Sequence, residues 1–419
     1  MDSTAADRTS VCVVGGGPAG MFLGLMLARA GIAVTVLEKH RDFLRDFRGD
    51  TVHPPTMDLL DDLGLGPAFR ALPQRRIEQV QAPFSGGSLR VADLRALPGP
   101  NNFVAMVPQW DLLDLLARAG DREPAFTLRM STEAVGLRWS GHQVTGVDYR
   151  TEDGGTGAIE ADLVVACDGR GSVLRAAAHL QPRSYPTPMD VWWYRVPRHD
   201  SDPSGITALI SRRRAAVLID RGDYWQVATL ISKGSDPAAR REPVGGLLRD
   251  LATSGPWLAD RTDALSSWDE VKTLDVKLDR LPRWHVDGLL CLGDAAHAMS
   301  PVGGVGINLA VQDAVAAARL LAGPLRAGRV STQDLARVRR RRWLPTVVVQ
   351  GVQRVLHAKG LRPALEGRVD LTGSTRPPLP MRILTRTPLL RRLPAQVVGR
   401  GVVTEPTPDF ARRAPEPIG

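Results

Sequence analysis

Near its beginning the chain carries a glycine-rich turn between a short apolar strand and an apolar helix. The sequence Ser10–Gly20 contains three glycines in the spacing G-x-G-x-x-G, and an apolar stretch follows over residues 21–30. In a Rossmann unit, Gly15 allows the tight turn, Gly17 lets backbone N–H groups approach a phosphate, and Gly20 lets helix and strand pack closely. The helix start then faces the pyrophosphate with a partial positive charge. Strand, turn and helix in this order therefore predict a dinucleotide-binding site.

A second strand supports this prediction. Residues Ile32–Leu37 end at Glu38, 18 residues after the last glycine, where an acidic side chain accepts hydrogen bonds from a ribose diol. We expect the cofactor contacts of this region to come from the turn and from the end of the second strand: Gly15, Gly17, Pro18, Ala19, Gly20, Glu38 and Lys39. The alternative, a glycine-rich turn without a ligand, stays open.

Two further turns follow strand-like sequences later in the chain. Asp168-Gly169 and Gly293-Asp294 each end a short apolar run and precede a helix-like segment. Together with the first turn, and in the same order, these motifs resemble those of the FAD-dependent aromatic hydroxylases of the p-hydroxybenzoate hydroxylase type. The resemblance covers roughly residues 10–345. It implies that the bound dinucleotide is FAD.

The segments between the turns predict an α/β fold: a Rossmann-like, glutathione-reductase-like FAD-binding domain with an inserted, mostly β substrate domain and a helical C-terminal region. Val191–Val196 is rich in aromatic and β-branched residues, and the segments 215–219 and 224–231 flank a short turn, as in a hairpin. Residues 77–107 predict irregular, turn-rich structure. We place the FAD-binding domain in residues 1–74, 108–178 and 286–345, the substrate domain in residues 75–107 and 179–285, and the C-terminal region in residues 346–419.

Further FAD contacts are implied by the resemblance, position by position. Asp294, beside Gly293, matches the residue that hydrogen-bonds the ribityl hydroxyls, and Asp168 matches an aspartate near the pyrophosphate that is implicated in binding both cofactors. Arg48 matches an arginine beside the FAD phosphates, and Gln109 matches a polar residue that touches the flavin chain. The alternatives are a surface salt bridge for Arg48 and a helix-cap partner for Gln109.

The loop Ser300–Asn308 leads into a strongly helical sequence over residues 309–321. The resemblance implies that this loop lies along the flavin ring, with Pro301 near the reactive edge. Free N–H groups at the helix start would point toward the N1–C2=O side of the ring and stabilise the negative charge of reduced flavin. We expect catalytic contributions from Pro301 and Gly304, and flavin contacts from Pro301, Gly303, Gly304, Val305, Gly306, Ile307 and Asn308. The alternative is a glycine-rich hinge without a ligand.

The candidate substrate residues lie on two strand-like segments. Alternation along a strand places Trp193 and Arg195 on one face and Trp192 and Tyr194 on the other. We expect substrate contacts from Trp193, Arg195 and Tyr224, but the sequence does not indicate which face covers the flavin. The alternative is that these aromatic side chains belong to a core.

The resemblance implies an FAD-dependent monooxygenase that uses NAD(P)H as a transient co-substrate together with molecular oxygen. A C4a-hydroperoxyflavin would hydroxylate or epoxidise a small organic substrate, aromatic or polyketide-like. The main alternative is a non-redox cyclase on the same fold that retains FAD as a structural cofactor. A flavin-dependent halogenase is disfavoured because Trp192-Trp193-Tyr194 does not match the Trp-x-Trp-x-Ile-Pro motif of that class. A non-enzymatic binding protein is disfavoured because the flavin-contacting positions are intact.

Composition narrows the remaining classes. The three cysteines each lie in a short apolar run, which argues against a disulfide framework or a metal site. The start of the chain lacks the pattern of a signal peptide, and no apolar stretch reaches the roughly 18 residues that a membrane span needs. We therefore expect a cytoplasmic protein.

The formal net charge of +9 is concentrated near the end of the chain, where 19 Arg and Lys follow Pro324 against 6 Asp and Glu. The run Arg339–Arg342 predicts a solvated helix face. Alternatives are a surface that steers anionic cofactors or one that makes peripheral contact with acidic lipid headgroups. Nucleic acid is disfavoured as a partner because no stacking aromatics interleave the basic residues. We expect His297 to be a packed residue rather than a catalytic one, and nothing marks His53 as a flavin attachment point.

Overall fold

The computed structural model describes residues 7–44, 51–84, 87–211, 214–366 and 395–415. The strands are β1 Asp7–Val14, β2 Val34–Leu37, β3 Thr51–Val52, β4 Arg75–Ile77, β5 Gln79–Phe84, β6 Gly87–Asp93, β7 Val104–Met106, β8 Phe126–Arg129, β9 Thr132–Ser140, β10 Gln143–Thr151, β11 Thr156–Ala166, β12 Arg183–Ser184, β13 Met189–Pro197, β14 Ile206–Ile210, β15 Ala215–Asp220, β16 Tyr224–Ser232, β17 Lys272–Leu274, β18 Asp279–Arg280, β19 His285–Val286 and β20 Leu289–Cys291. The α-helices are α1 Pro18–Arg29, α2 Pro54–Asp62, α3 Gly66–Ala71, α4 Gln109–Gly120, α5 Val173–Ala177, α6 Asp236–Ala239, α7 Gly245–Ala252, α8 Gly306–Arg326, α9 Thr332–Leu356 and α10 Arg362–Leu365.

The larger sheet is the frame of the cofactor region. Five parallel strands lie in the order β20, β11, β1, β2, β8, and β19 pairs antiparallel with β20 at one edge. A second branch begins on β11, since β10 pairs antiparallel with β11 and β9 pairs with β10. The central parallel strands end in fully buried apolar residues, as expected for strands that are covered on both faces. Helix α1, buried from Ala19 to Arg29, packs against α8 and α4.

The three glycine-containing turns meet at one edge of this sheet. Because β20, β11 and β1 are parallel neighbours, their carboxyl ends carry Gly293, Asp168 and Gly15 side by side. Backbone hydrogen bonds between these strands continue one residue beyond their ends. The crevice outside the carboxyl ends of parallel strands is the usual ligand site of α/β sheets. The predicted α/β class with a Rossmann-like domain is confirmed.

A second, antiparallel sheet has the strand order β14, β15, β16, β13, β17. One of its faces is a packed core, in which Trp192, Tyr194 and Trp225 are fully buried against α7 and the 3₁₀ turns that follow it. The predicted strands β13, β15 and β16 are confirmed, and β15 and β16 pair as the expected hairpin. The division of the chain into domains stays a prediction.

Residues 77–107 are more regular than the sequence indicates. Strand β7 pairs with β3 and β4, while β5 and β6 form a separate antiparallel pair. The prediction of irregular structure is wrong, because Pro83 and the neighbouring glycines interrupt the alternation on which sequence reasoning depends. A two-stranded ladder has only edge strands, where proline is tolerated.

The C-terminal part of the chain is helical through α9, a π-helical turn His357–Leu361 and α10, which confirms the predicted helical region there. The described segment 395–415 is mostly non-helical and returns to the cofactor region. It is anchored by Arg29, whose Nη1 donates to Leu63 O at 2.8 Å and to Ala411 O at 3.0 Å. This segment therefore packs near α1 and α2.

Two expectations about exposure have different outcomes. Cys12 and Cys291 are buried within strands as predicted, and Cys167 lies half-buried one residue after β11. Arg342 is fully buried, so the prediction that Arg339–Arg342 forms a solvated face is wrong for this residue, whose charge is paired inside the protein.

Among the described helices, none is long and apolar enough to cross a membrane.

Candidate functional site

Close contacts between backbone atoms build the first turn. Gly15 has a φ of +108°, and a Cβ at this position would lie 2.4 Å from Cys167 O. A Cβ on Gly20 would lie 2.0 Å from Gly15 O. A side chain at either position would collide with backbone, so the packing of β1, α1 and β11 alone requires these two glycines.

Gly17 has a different reason to be glycine. Its φ of −75° suits any residue, and a Cβ built on it meets no described atom within 4 Å beyond its chain neighbours. The space lies at the start of α1, where Pro18 is the first residue and no side chain in the described part of the chain caps the N–H groups of Ala19 and Gly20. Such a helix start binds anions. The protein itself does not require Gly17, whereas a pyrophosphate in contact with the backbone would.

Glu38 connects the second strand to the first turn. Its buried carboxylate accepts hydrogen bonds from Gly16 N–H at 3.0 Å on Oε2 and from His40 N–H at 3.1 Å on Oε1. The side chain is thereby held beside the glycine turn, where the predicted contact with ribose would be made. Lys39, the next residue, is exposed.

Asp168 has one satisfied and one unsatisfied carboxylate oxygen. Oδ2 accepts from Leu174 N–H at 3.3 Å, whereas Oδ1 is buried and has no partner among the described residues. Burial raises the pKa of this carboxyl, because the loss of hydration outweighs the hydrogen bonds from Ser172 and the start of α5. A buried anionic oxygen without a donor is costly. A ligand that supplies a hydroxyl donor at this point would remove that cost.

The third turn lies against the second. After β20 the chain enters a 3₁₀ turn, Gly293–Ala295, and Gly293 N–H donates to Asp313 Oδ2 at 3.3 Å. Asp294 Oδ2 lies 3.8 Å from the Nε atom of Arg170, which follows the second turn. The predicted pyrophosphate and ribityl contacts, Asp168 and Asp294, therefore lie at adjoining turns on one edge of the sheet.

Helix α8 starts without a side-chain cap. Its first helical hydrogen bond runs from Leu309 N–H to Val305 O at 3.0 Å. The N–H groups of Val305, Gly306, Ile307 and Asn308 have no acceptor within the described parts of the chain. Four donors and the positive end of the helix dipole thus point out of this helix start. An anionic ring edge, as predicted for reduced flavin, would accept them.

Three side chains from the corner between β3 and α2 hold this loop. Thr51 Oγ1 donates to Gly304 O at 2.8 Å, and His53 Nε2 lies 3.1 Å from the same oxygen. Thr56 Oγ1 donates to Asn308 Oδ1 at 3.0 Å, which leaves the amide NH₂ and the backbone N–H of Asn308 for the predicted flavin contact. Sequence reasoning missed these three residues because about 250 positions separate them from the loop, and no local pattern connects the two segments.

The other predicted residues have the following places. Pro301 is half-buried and its carbonyl accepts from Gly304 N–H at 3.0 Å, while Gly303 is exposed on the same loop. Gln109 is half-buried at the first position of α4, whose start has no side-chain cap in the structure, so the alternative of a helix-cap partner is not supported. Arg48 lies outside the described residues.

A buried ionic network lies behind the third turn. Asp313 accepts from Arg342 Nε at 2.8 Å and lies 2.5 Å from His297 Nε2, and Arg342 Nη1 donates to Glu405 at 3.2 Å. Burial opposes ionisation of Asp313, but the attraction of His297 and Arg342 and their hydrogen bonds outweigh it, so the pKa of Asp313 lies below its usual range. The His297 ring also packs at a tilt against Trp284 with ring centres 4.9 Å apart, and His297 is almost fully buried, which confirms it as a packed residue.

The candidate substrate residues lie together on one face of the antiparallel sheet. Trp193, Arg195 and Tyr224 are on the face opposite the larger packed core, where Trp193 is half-buried against a small cluster of Val191, Ala228 and Val276. The Arg195 guanidinium carbon lies 4.9 Å from the centre of the Tyr224 ring. Val217 and Ile206, on the same face, are 37% and 43% exposed. This open face, defined by Trp193, Arg195, Tyr224, Val217 and Ile206, combines aromatic, aliphatic and cationic groups.

Two arginines link the antiparallel sheet to neighbouring parts of the chain. Arg170, which pairs with Asp294, donates from Nη1 to Asp275 O at 3.2 Å beside β17. At the other end of the sheet, Arg75 Nη2 on β4 lies 3.6 Å from Asp220 Oδ1 at the end of β15. These contacts join the sheet to the second turn and to the small sheet that contains β3.

The residues at the edge of the parallel sheet fit FAD. Gly17 leaves space at a helix start, and within the described residues one buried oxygen of Asp168 lacks a donor and four N–H groups at the start of α8 lack an acceptor. These three features suit, in order, a pyrophosphate, a hydroxyl-bearing chain and an anionic ring edge.

Comparisons with known proteins agree with this fit. The family described as FAD binding domain matches residues 8–350. The 6-methylpretetramide 4-monooxygenase of Streptomyces rimosus is 35% identical over 391 residues, which cover 92% of this chain and 90% of that protein.

Two solved structures share the fold. The anhydrotetracycline hydroxylase OxyS from Streptomyces rimosus has a TM-score of 0.73 at 22% identity, covering 95% of this chain and 77% of that one. A Diels-Alderase of pyrroindomycin biosynthesis, PyrE3, has a TM-score of 0.71 at 21% identity, covering 96% of this chain and 82% of that one. At these identities the likeness shows the fold alone, whereas the family match and the first relative show the family. The chain belongs to the FAD-dependent monooxygenases of the aromatic hydroxylase type.

Proposed function

We propose that this monooxygenase uses NAD(P)H and molecular oxygen to hydroxylate or epoxidise an aromatic, polyketide-like substrate. The relative with 35% identity is named for the 4-monooxygenation of 6-methylpretetramide, which supports a substrate of this class. The open face of the antiparallel sheet carries the proposal, because its aromatic and aliphatic side chains suit a flat, largely apolar molecule.

Each part of the site has a proposed role in holding FAD. Gly17 and the start of α1 bind the pyrophosphate, Glu38 binds the ribose, and Asp294 binds the ribityl hydroxyls. The unsatisfied oxygen of Asp168 receives a hydroxyl donor near the pyrophosphate. Gln109, at the start of α4, is proposed to touch the flavin chain.

Bound FAD supplies the transfer of electrons from NAD(P)H and the activation of oxygen. The protein supplies fixed dipoles: the N–H groups at the start of α8 stabilise the ring edge that becomes negative on reduction. Pro301 and Gly304 shape the loop that carries these donors. Because the donors are part of a helix and a pinned loop, they need little rearrangement when the charge develops.

The open face is proposed to orient the substrate. Trp193 and Tyr224 provide aromatic surface, and the Arg195 cation above the Tyr224 ring provides an electrostatic contact for a phenolate or enolate oxygen. Such oxygens make the neighbouring ring carbon electron-rich, which suits electrophilic hydroxylation.

The test uses the purified holoenzyme with a panel of aromatic polyketides. We expect FAD in the supernatant after heat denaturation, acceleration of NAD(P)H oxidation by the true substrate, and one atom of labelled oxygen gas in the product. Anaerobic samples should give no product. If product forms equally well without oxygen or reduced nicotinamide, while the flavin stays oxidised, the enzyme is a cyclase and the proposal is wrong.

A further inference from the structure

The peptide bond between Gly304 and Val305 is held in one orientation from one side. Thr51 Oγ1 and His53 Nε2 both lie within hydrogen-bond distance of Gly304 O, at 2.8 and 3.1 Å. A carbonyl oxygen only accepts, so the Nε2 atom of His53 carries the hydrogen in this contact. His53 is almost fully buried, and Thr51 is half-buried beside it.

The orientation of this carbonyl determines where an N–H group points. The described peptide bonds are all trans, and in a trans peptide the C=O and N–H groups point in opposite directions. With Gly304 O directed at Thr51 and His53, the N–H of Val305 points away from β3. Val305 is the cap residue of α8, and its N–H is one of the four donors that lack an acceptor in the described chain.

Without these two contacts the loop would have considerable freedom. Gly303 and Gly304, the two residues before Val305, have φ values of +85° and +63°, so the chain that leads into this peptide can rotate at little steric cost. A Cβ on Gly304 would lie 2.7 Å from Thr51 Oγ1, which shows how closely this strand approaches the loop. Two hydrogen bonds to one carbonyl therefore select one orientation out of several that the glycines permit.

We propose that Thr51 and His53 are positioning residues that keep the Val305 N–H directed at the flavin, and thereby favour the reduced over the oxidised cofactor. The inference rests on the proposed position of the flavin beside the α8 loop. It concerns the reduction equilibrium of bound FAD rather than substrate turnover. The second contact of this corner, from Thr56 to Asn308, holds the next turn of the same helix start.

The first experiment compares His53→Ala, His53→Gln and wild type by midpoint potential and by FAD dissociation constant. We expect His53→Ala to lower the preference for reduced flavin about tenfold, equal to about 30 mV for a two-electron couple, toward a more negative potential. His53→Gln, whose amide NH₂ reaches a similar place, should restore most of the loss. His285→Ala is the control, because His285 is also buried but lies on the edge strand β19, outside the loop contacts.

A second pair of variants serves if His53→Ala does not fold. Thr51→Val removes the other donor with little change in shape, whereas Thr51→Ser retains it. A lower potential in Thr51→Val and a wild-type potential in Thr51→Ser supports the inference. It is overturned if the donor-removing variants keep the wild-type potential, or if His53→Gln or Thr51→Ser behaves like its donor-free counterpart. The midpoint potential and the FAD dissociation constant are measured without substrate. A failure of this inference is therefore distinguishable from a failure of the proposed hydroxylation.

Discussion

Arg342 Nε donates to Asp313 Oδ1 at 2.8 Å, and both side chains are wholly excluded from solvent. The same aspartate accepts from Gly293 N–H through its other oxygen. Arg342 also bonds Glu405, whose side chain is buried and pairs with Arg319 and Arg341. A charge inside helix α9 is therefore connected to the turn that carries a predicted flavin contact.

Removal of the Arg342 charge should be strongly destabilising. We expect Arg342→Met to lower the free energy of unfolding by about 3–5 kcal/mol, because it removes the buried cation that the Asp313 and Glu405 carboxylates share. The neighbour Arg340 is exposed in the same arginine run, and Arg340→Met should change the free energy by no more than about 0.5 kcal/mol. Chemical denaturation of both variants measures the difference. Equal stability of the two variants would contradict the burial of this pair.

The same network predicts a dependence on pH. The pKa of Asp313 is lowered in the folded protein, so its contribution to stability is present above the ordinary aspartate pKa of about 3.9 and is lost as the pH falls through the lower, folded value. The stability difference between wild type and Asp313→Asn should be constant near neutral pH and narrow below about pH 4. Asp162→Asn, at an exposed ion pair, is the control and should show no such narrowing. If the stability difference between wild type and Asp313→Asn stays constant down to pH 3, the pKa of Asp313 is not lowered in the folded protein.

Substitution of Gly17 should weaken cofactor binding rather than the packing of the protein. Gly17→Ala adds a methyl group to the space proposed for the pyrophosphate, and we expect FAD affinity to fall at least about tenfold, or about 1.4 kcal/mol, with little change in apoprotein stability. In Gly20→Ala the new Cβ would instead collide with Gly15 O, so the apoprotein itself should lose stability. Gly246→Ala in α7 is the control, since its Cβ also enters open space. FAD titration and thermal unfolding separate the outcomes; wild-type FAD affinity in Gly17→Ala would place the pyrophosphate elsewhere.

Two neighbouring tryptophans should separate folding from substrate binding. Trp192 is fully buried, donates to Asp236 at 2.6 Å and contacts the Trp268 ring, so Trp192→Ala should cost about 3–5 kcal/mol of stability. Trp193 lies on the open face, and Trp193→Ala should chiefly raise the KM for substrate while FAD affinity stays at the wild-type level. Denaturation curves measure the stability of both variants, and steady-state kinetics measure the KM of Trp193→Ala. An unchanged KM in Trp193→Ala would remove this face from the proposed site.

Sequence reasoning succeeded where the determining pattern is local. The glycine turn at residues 15–20, the two aspartate-containing turns and the hairpin of β15 and β16 each depend on residues a few positions apart. The resemblance then supplied the order of the three turns, and with it the cofactor.

Sequence reasoning failed for contacts between residues that are distant in the chain. Nothing near Arg342 indicates burial, since its acidic partners are 29 and 63 residues away and a run of four arginines is typical of a solvated surface. The contact between His53 and Gly304 spans 251 residues and has no periodic signature. The face of the antiparallel sheet that remains open was also undetermined, because α7, which covers the other face, is needed to decide it.

The strand order of the parallel sheet has a consequence for biosynthesis of the protein. The first turn follows β1, but β20 on the other side of β11 is synthesised after every other strand of this sheet. A nascent chain that ends before β20 has the glycine turn and lacks the opposite wall of the crevice. If FAD needs both walls of this crevice, as proposed, nascent chains that stop before β20 should not retain the cofactor when they are released.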